Sequence, residues 1–148
     1  MTASNNIILP LDFSTPSLGA LPWARRISAM LDAAVHCIYV VEEPQVYSML
    51  DMPVPAQIPT TQEIAEIAAE RLRTFADDQL QDLDSGVLTK VLIGKPAEEI
   101  VAYAHEIEAK MIVMATHGHS GIEHILLGST TEAVLRRAKC PVLSIPNS

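Results

Sequence analysis

Five short apolar runs recur along the chain, and stretches of helical periodicity separate them. The runs are Asn6–Leu11, Val35–Val41, Val87–Ile93, Met111–Ala115 and Pro141–Ile145. Val35–Val41 and Met111–Ala115 are continuous rather than alternating, so they are expected to be buried on both faces, as strands of a parallel sheet are. Between them, Ala20, Ala24, Ile27 and Leu31 repeat at spacings of 4, 3 and 4. Ile64, Ala68, Leu72, Phe75 and Leu83 line a second helical stretch, and Ile100, Ala104 and Ile107 a third. Val134, Leu135 and Ala138 mark a fourth. Buried strands alternating with amphipathic helices give an α/β fold, a parallel sheet with helices on both faces.

Local signals place the joints. Pro16 stands where a helix can begin, with Ser14 or Thr15 as N-cap, and that helix is expected to run on to Leu31. Thr60 or Thr61 caps the next, with Glu63 placed to complete a capping box. Gly86 and Gly94 are turn residues, and Pro96 opens a helix. Residues 42–59 carry Pro44, Pro53, Pro55 and Pro59, which forbid regular structure. Their Val46, Tyr47, Met49, Leu50 and Met52 are too apolar for a solvated linker, so this excursion is expected to pack on the domain or on a partner.

At 148 residues the chain suits one domain, 1–148, burying about 70% of its unfolded surface. Aromatic residues make up 4% and hydrophobic residues 49%, so the core must be aliphatic. The formal charge of −8 argues against nucleic-acid partners, although local N–H groups can still hold a small anion. No run approaches a membrane span, and Met1–Asn6 lacks a basic n-region. Cys37 and Cys140 lie in apolar, strand-like settings and read as buried thiols in a reducing cytoplasm.

The densest chemistry lies in residues 111–131. An apolar strand ends at Ala115, a polar loop with Gly118 and Gly121 follows, and Gly128-Ser129-Thr130-Thr131 precedes a helix at Ser129–Ala138. A helix start presents N–H groups without internal acceptors at the positive end of the dipole, a favourable place for phosphate. Ser129 and Thr130 add hydroxyl donors there. The loop lacks the Lys of a Walker A motif and is not a G-x-G-x-x-G fingerprint. His117, His119 and His124 raise a metal reading, but Glu123 alone is at hand to complete a ligand set, so no protein-held metal is expected. The histidines are read instead as loop residues favourable to anions. His36 and His105 are read as structural.

From Ala115 the pattern is A-x-x-G, nine residues (119–127), then G-S. It resembles the G-x-x-G-(nine)-G-[ST] nucleotide loop of the universal stress protein family. Ile8-Leu9-Pro10-Leu11-Asp12-Phe13-Ser14, Gly94-Lys95-Pro96-Ala97-Glu98-Glu99-Ile100 and Cys140-Pro141-Val142-Leu143-Ser144-Ile145 extend the resemblance across the chain. One departure is Ala115, where nucleotide-binding members usually carry the first glycine; weakened or retained binding is expected.

The resemblance implies an open five-stranded parallel sheet of order 3-2-1-4-5, of the Rossmann-type, adenine nucleotide alpha hydrolase-like class. It implies adenine-nucleotide binding, ATP or AMP, with any Mg²⁺ held through the phosphates. The implied contacts are Pro10, Leu11, Asp12, Val40, Met114, Ala115, His117, Gly118, His119, Gly128, Ser129 and Thr130. Among them Asp12 and a backbone group of Val40 face the adenine. It further implies a homodimer through the last strand, Pro141–Ile145, and a regulatory role in stress.

Two other readings compete. A slow ATPase would need a base, a catalytic Lys or an arginine finger, and the sequence offers no such arrangement. The related ATP pyrophosphatases carry S-G-G-x-D-S where this chain has Asp12-Phe13-Ser14-Thr15. A nucleotide-free dimeric interaction module is the other. A flavodoxin-like carrier fits poorly, since its phosphate loop follows the first strand.

Overall fold

The computed structural model describes residues 5–43, 59–116 and 127–146. Five strands, β1 (Asn5–Pro10), β2 (Ala33–Val41), β3 (Val87–Ile93), β4 (Met111–Ala115) and β5 (Val142–Ile145), form one sheet of order β3-β2-β1-β4-β5. Every pairing is parallel. The strand order therefore reverses between β1 and β4, and β3 and β5 form the two edges.

The continuous apolar runs serve both faces through the two-residue alternation of a strand. Ile7, Leu9, Leu11, Val35, Cys37 and Val113 turn to one face. There they meet α2 (Leu21–Leu31) through Ala24 and α3 (Thr61–Gln79) through Leu72. Ile8, Ile38, Ile112 and Met114 turn to the other face. They pack against Ile100 and Ala104 of α4 (Pro96–Glu106) and Val134 of α5 (Ser129–Arg137). Ile7, Ile8 and Leu9 are fully buried, each worth about 1.5–3 kcal/mol of apolar transfer. Aliphatic layers of this kind need few aromatic rings.

The helix expected to run unbroken to Leu31 is two helices. A short α1 (Thr15–Leu18) is capped by Ser14, whose Oγ accepts from Ser17 N at 3.2 Å. It stops at Gly19, and α2 restarts with Pro22 in its first turn. Proline lacks an N–H and its ring collides with the carbonyl four residues back, so the helix cannot pass through Pro22. A second correction concerns Leu135, which is 40% exposed. The buried positions of α5 are Thr131 and Val134, not the stripe expected from periodicity. At α3 the expected cap holds, with Thr60 Oγ1 accepting from Glu63 N at 3.1 Å.

His36 is buried between the sheet and α4, whereas His105 is exposed in the last turn of α4. Asn6 Nδ2 donates to Ile107 O at 3.3 Å, which turns Asn6 Oδ1 toward His36 Nε2 at 3.1 Å. An amide oxygen can only accept, so Nε2 carries the imidazole proton. Nδ1 then accepts from Tyr103 Oη at 2.7 Å. Burial lowers the His36 pKa and, with Glu106, raises that of Tyr103, so neutral ring and protonated phenol fit one another. The expected excursion at 42–59 falls almost wholly outside the described residues.

Candidate functional site

In an open parallel sheet the loops leaving two neighbouring strands diverge where the order reverses, and a crevice opens at the carboxyl ends. Here that point lies between β1 and β4, and a cavity of about 590 Å³ sits there. This is within the roughly 300–1,000 Å³ range of small-molecule sites. Pro10, Leu11, Asp12, Val40, Met114, Ala115, Gly128, Ser129 and Thr130 all line it. These are all the residues expected from sequence that lie among those described; His117, Gly118 and His119 fall outside them.

Two hydrogen bonds anchor the start of α5 to the end of β4. Gly128 N donates to Thr116 O at 2.7 Å. Thr131 Oγ1 donates to Ala115 O at 2.8 Å, with Thr131 only 3% exposed. The first intrahelical bond runs from Glu132 N to Gly128 O. The N–H groups of Ser129, Thr130 and Thr131 therefore precede any acceptor inside the helix, and the dipole adds partial positive charge there. Gly128 has φ −66°, an ordinary value, so turn geometry does not require a glycine there.

The start of α4 also reaches this cavity, through Pro96 and Ile100. Its first turn already holds Glu98 and Glu99. Glu99 lies over Gly94, whose φ of +148° few side chains tolerate; a Cβ there would meet Glu99 Oε1 at 2.6 Å. Two carboxylates thus oppose an anion at the start of α4, against one, Glu132, in the first turn of α5.

At the far side, Asp12 follows β1. Its Oδ1 accepts from Ser14 N at 2.9 Å and Ser14 Oγ at 2.5 Å, which fixes the carboxylate at the head of α1. Glu42 lines the same region beyond β2. One end of the cavity is therefore carboxylate-rich and the other is rich in N–H groups and hydroxyls. Among the described residues the lining includes no Lys, Arg or His.

Ser17, Tyr39, Glu42, Ile64 and Thr131 are among the lining residues that sequence reasoning missed. Thr131 was legible as part of Gly128-Ser129-Thr130-Thr131, but its helix position had to be known before its hydroxyl could be assigned inward. Tyr39 precedes Val40 on the strand already singled out, and Glu42 follows its last residue, Val41.

The sequence model of the universal stress protein family matches residues 4–146. Universal stress protein MJ0531 of Methanocaldococcus jannaschii is 34% identical over 139 residues, covering 94% of this chain and 80% of that protein. The fold is similar to that of universal stress protein UspA from Lactobacillus plantarum, with TM-score 0.76 and 26% identity, covering 97% of this chain and 99% of that one. It is also similar to a universal stress protein solved in complex with cAMP, with TM-score 0.70 and 23% identity, covering 99% of this chain and 100% of that one. A family match across nearly the whole chain, joined to a 3-2-1-4-5 sheet with its cavity at the strand reversal, places this chain in the universal stress protein family.

Proposed function

We propose that the cavity binds an adenine nucleotide, with phosphate at the start of α5 and the base between Asp12 and Val40. The observation that carries this reading is the chemical division of the cavity. Asp12 and Glu42 stand at one end, and Gly128, Ser129 and Thr130 at the other. A carboxylate accepts from an exocyclic amine, a backbone N–H and C=O at Val40 read a purine edge, and Met114 supplies an apolar wall. The similar universal stress protein that holds cAMP supports an adenosine phosphate as ligand. ATP and AMP are the ligands to test, with Mg²⁺ entering on the phosphates alone; His117, Gly118 and His119 would complete the phosphate end. The protein then acts as a nucleotide-responsive regulator in the stress response, cytoplasmic in keeping with its two free cysteines.

A single domain over 1–148 that pairs with a second copy through Pro141–Ile145 completes this reading. The placement of β5 at a sheet edge supports it. Sedimentation at graded concentrations tests it, with a dimer expected and a monomer at all concentrations contradicting it.

The second reading, a nucleotide-free interaction module, draws on Ala115 at the first glycine of the family loop. Thermal unfolding with and without nucleotide separates the two. Ligand at one hundred times its Kd adds about 2.7 kcal/mol of stability. For a chain of this size that raises the melting temperature by roughly 5–11 °C. No shift with ATP or AMP, and no nucleotide released on denaturing the purified protein, supports the second reading.

A further inference from the structure

A second depression, of about 580 Å³, lies between α1 and α3, apart from the cavity above. Phe13, Leu18, Ile67 and Phe75 provide its apolar lining, with Glu70, Arg71, Thr74 and Asp78 on its polar side. Phe13 is the centrepiece. Its φ of +62° is rare for a bulky residue, and its ring is fixed from three directions. Tyr39 stacks on it at 5.6 Å, Phe75 meets it edge-on at 6.3 Å, and the Arg71 guanidinium covers it at 4.1 Å. The lining is therefore preformed. Ile67 remains 66% exposed beside it, a large aliphatic side chain open at the surface of the described residues.

The charge around Ile67 identifies what would cover it. Glu63, Ile67, Glu70, Thr74 and Asp78 follow one another along an exposed stripe of α3, and Glu66 flanks it. Five carboxylates, Glu63, Glu66, Glu70, Asp77 and Asp78, face two cations on the exposed side of α3. Arg71 lies over the Phe13 ring, and Arg73 pairs with Glu70. An apolar groove with an acidic rim repels nucleic acid and anionic lipid, and it suits apolar anchors flanked by Lys or Arg.

We propose that the α1–α3 groove is a docking surface for a basic amphipathic helix of a protein partner, with Ile67 receiving an apolar anchor and Asp78 a cation. The groove stands independently of the nucleotide reading, although the two share a wall. Tyr39 and Ile64 line the first cavity, next to Phe13 and Ile67.

The test is a titration of the full chain followed by NMR. The probe is a synthetic amphipathic helix with Leu at i, i+3, i+4 and i+7 and Lys beside them. Shifts centred on Leu18, Ile67 and Phe75 are expected. Ile67→Glu or Asp78→Lys should weaken binding by about tenfold, and high salt should weaken it also. Both positions are exposed, so the melting temperature should hold and report intact folding. The same peptide with Glu in place of Lys should bind far more weakly. The proposal is overturned by absence of shifts, by equal binding of the Glu peptide, or by shifts elsewhere, such as at Trp23 and Met30 on α2. Self-association of the protein that Ile67→Glu abolishes would overturn it too, since a second copy would then be the occupant.

Discussion

Thr131→Val tests how the phosphate end of the cavity is built. Valine keeps the shape of threonine and removes the hydroxyl that donates to Ala115 O at 2.8 Å. Thr131 is buried, so water cannot easily replace the lost donor. Leaving a buried acceptor without its partner costs about 1–3 kcal/mol. In a chain of this length that lowers the melting temperature by roughly 2–12 °C. The same bond ties the first turn of α5 to the end of β4, so its loss should also loosen the amides that face the cavity. Nucleotide affinity, measured by calorimetry well below the new melting temperature, should fall by a few-fold or more. Thr131→Ser retains the donor and should stay near the parent in affinity, while giving up one buried methyl. A Thr131→Val protein with unchanged melting temperature and unchanged affinity would refute the tether and its role in shaping the site.

Three further outcomes follow from burial and charge. Burial lowers the folded-state pKa of His36 from the ordinary value of 6.5, so the unfolded chain takes up this proton first as pH falls. Stability should therefore be flat in this residue above about pH 6.5 and decline below it, and His36→Gln should remove that part of the slope; identical pH profiles would contradict the account. Leu72→Ala empties a fully buried position of α3 and should cost about 2–5 kcal/mol by chemical denaturation, whereas Leu135→Ala on α5 should stay within about 0.5 kcal/mol. Cys37 is buried with its pKa raised to about 12, so it should resist thiol reagents until the protein unfolds; rapid labelling in the folded state would show the β2 core to be open.

The sheet was largely readable because continuous apolar runs between amphipathic stretches admit few arrangements. Pairings such as Ile7 with Met111 and Ile7 with Val35 realise what those runs require. The strand order came from the family resemblance, since periodicity cannot say which buried strand lies beside which. Pro22 was the local signal left unused. Apolar spacing across residues 20–31 matches a helix, but spacing ignores the missing N–H that divides α1 from α2.

In the site, Asp12, Val40, Ala115 and Gly128–Thr130 stand at strand ends and a helix start, and the strand order implied by the family resemblance was needed to bring them to one crevice. The inward turn of Thr131 was not legible. A threonine after Gly-Ser reads equally as a phosphate donor or a backbone tether, and the angle at which α5 crosses β4 decides between them. The family resemblance gives Asp12 as an adenine contact, while in the fold its Oδ1 also holds Ser14. The α1–α3 groove was hidden for a similar reason. Phe13 and Ile67 are far apart in sequence and meet only through the docking of α3 beside α1.

The most direct test of nucleotide binding in the β1–β4 crevice is an amide NMR titration of nucleotide-free protein with ATP and with AMP. The account predicts saturable shifts at Asp12, Val40, Ser129 and Thr130, with β3 and the far ends of α4 and α5 unmoved. Amides of Gly128–Thr130 that stay in place at millimolar nucleotide, or shifts confined to another surface, would contradict it.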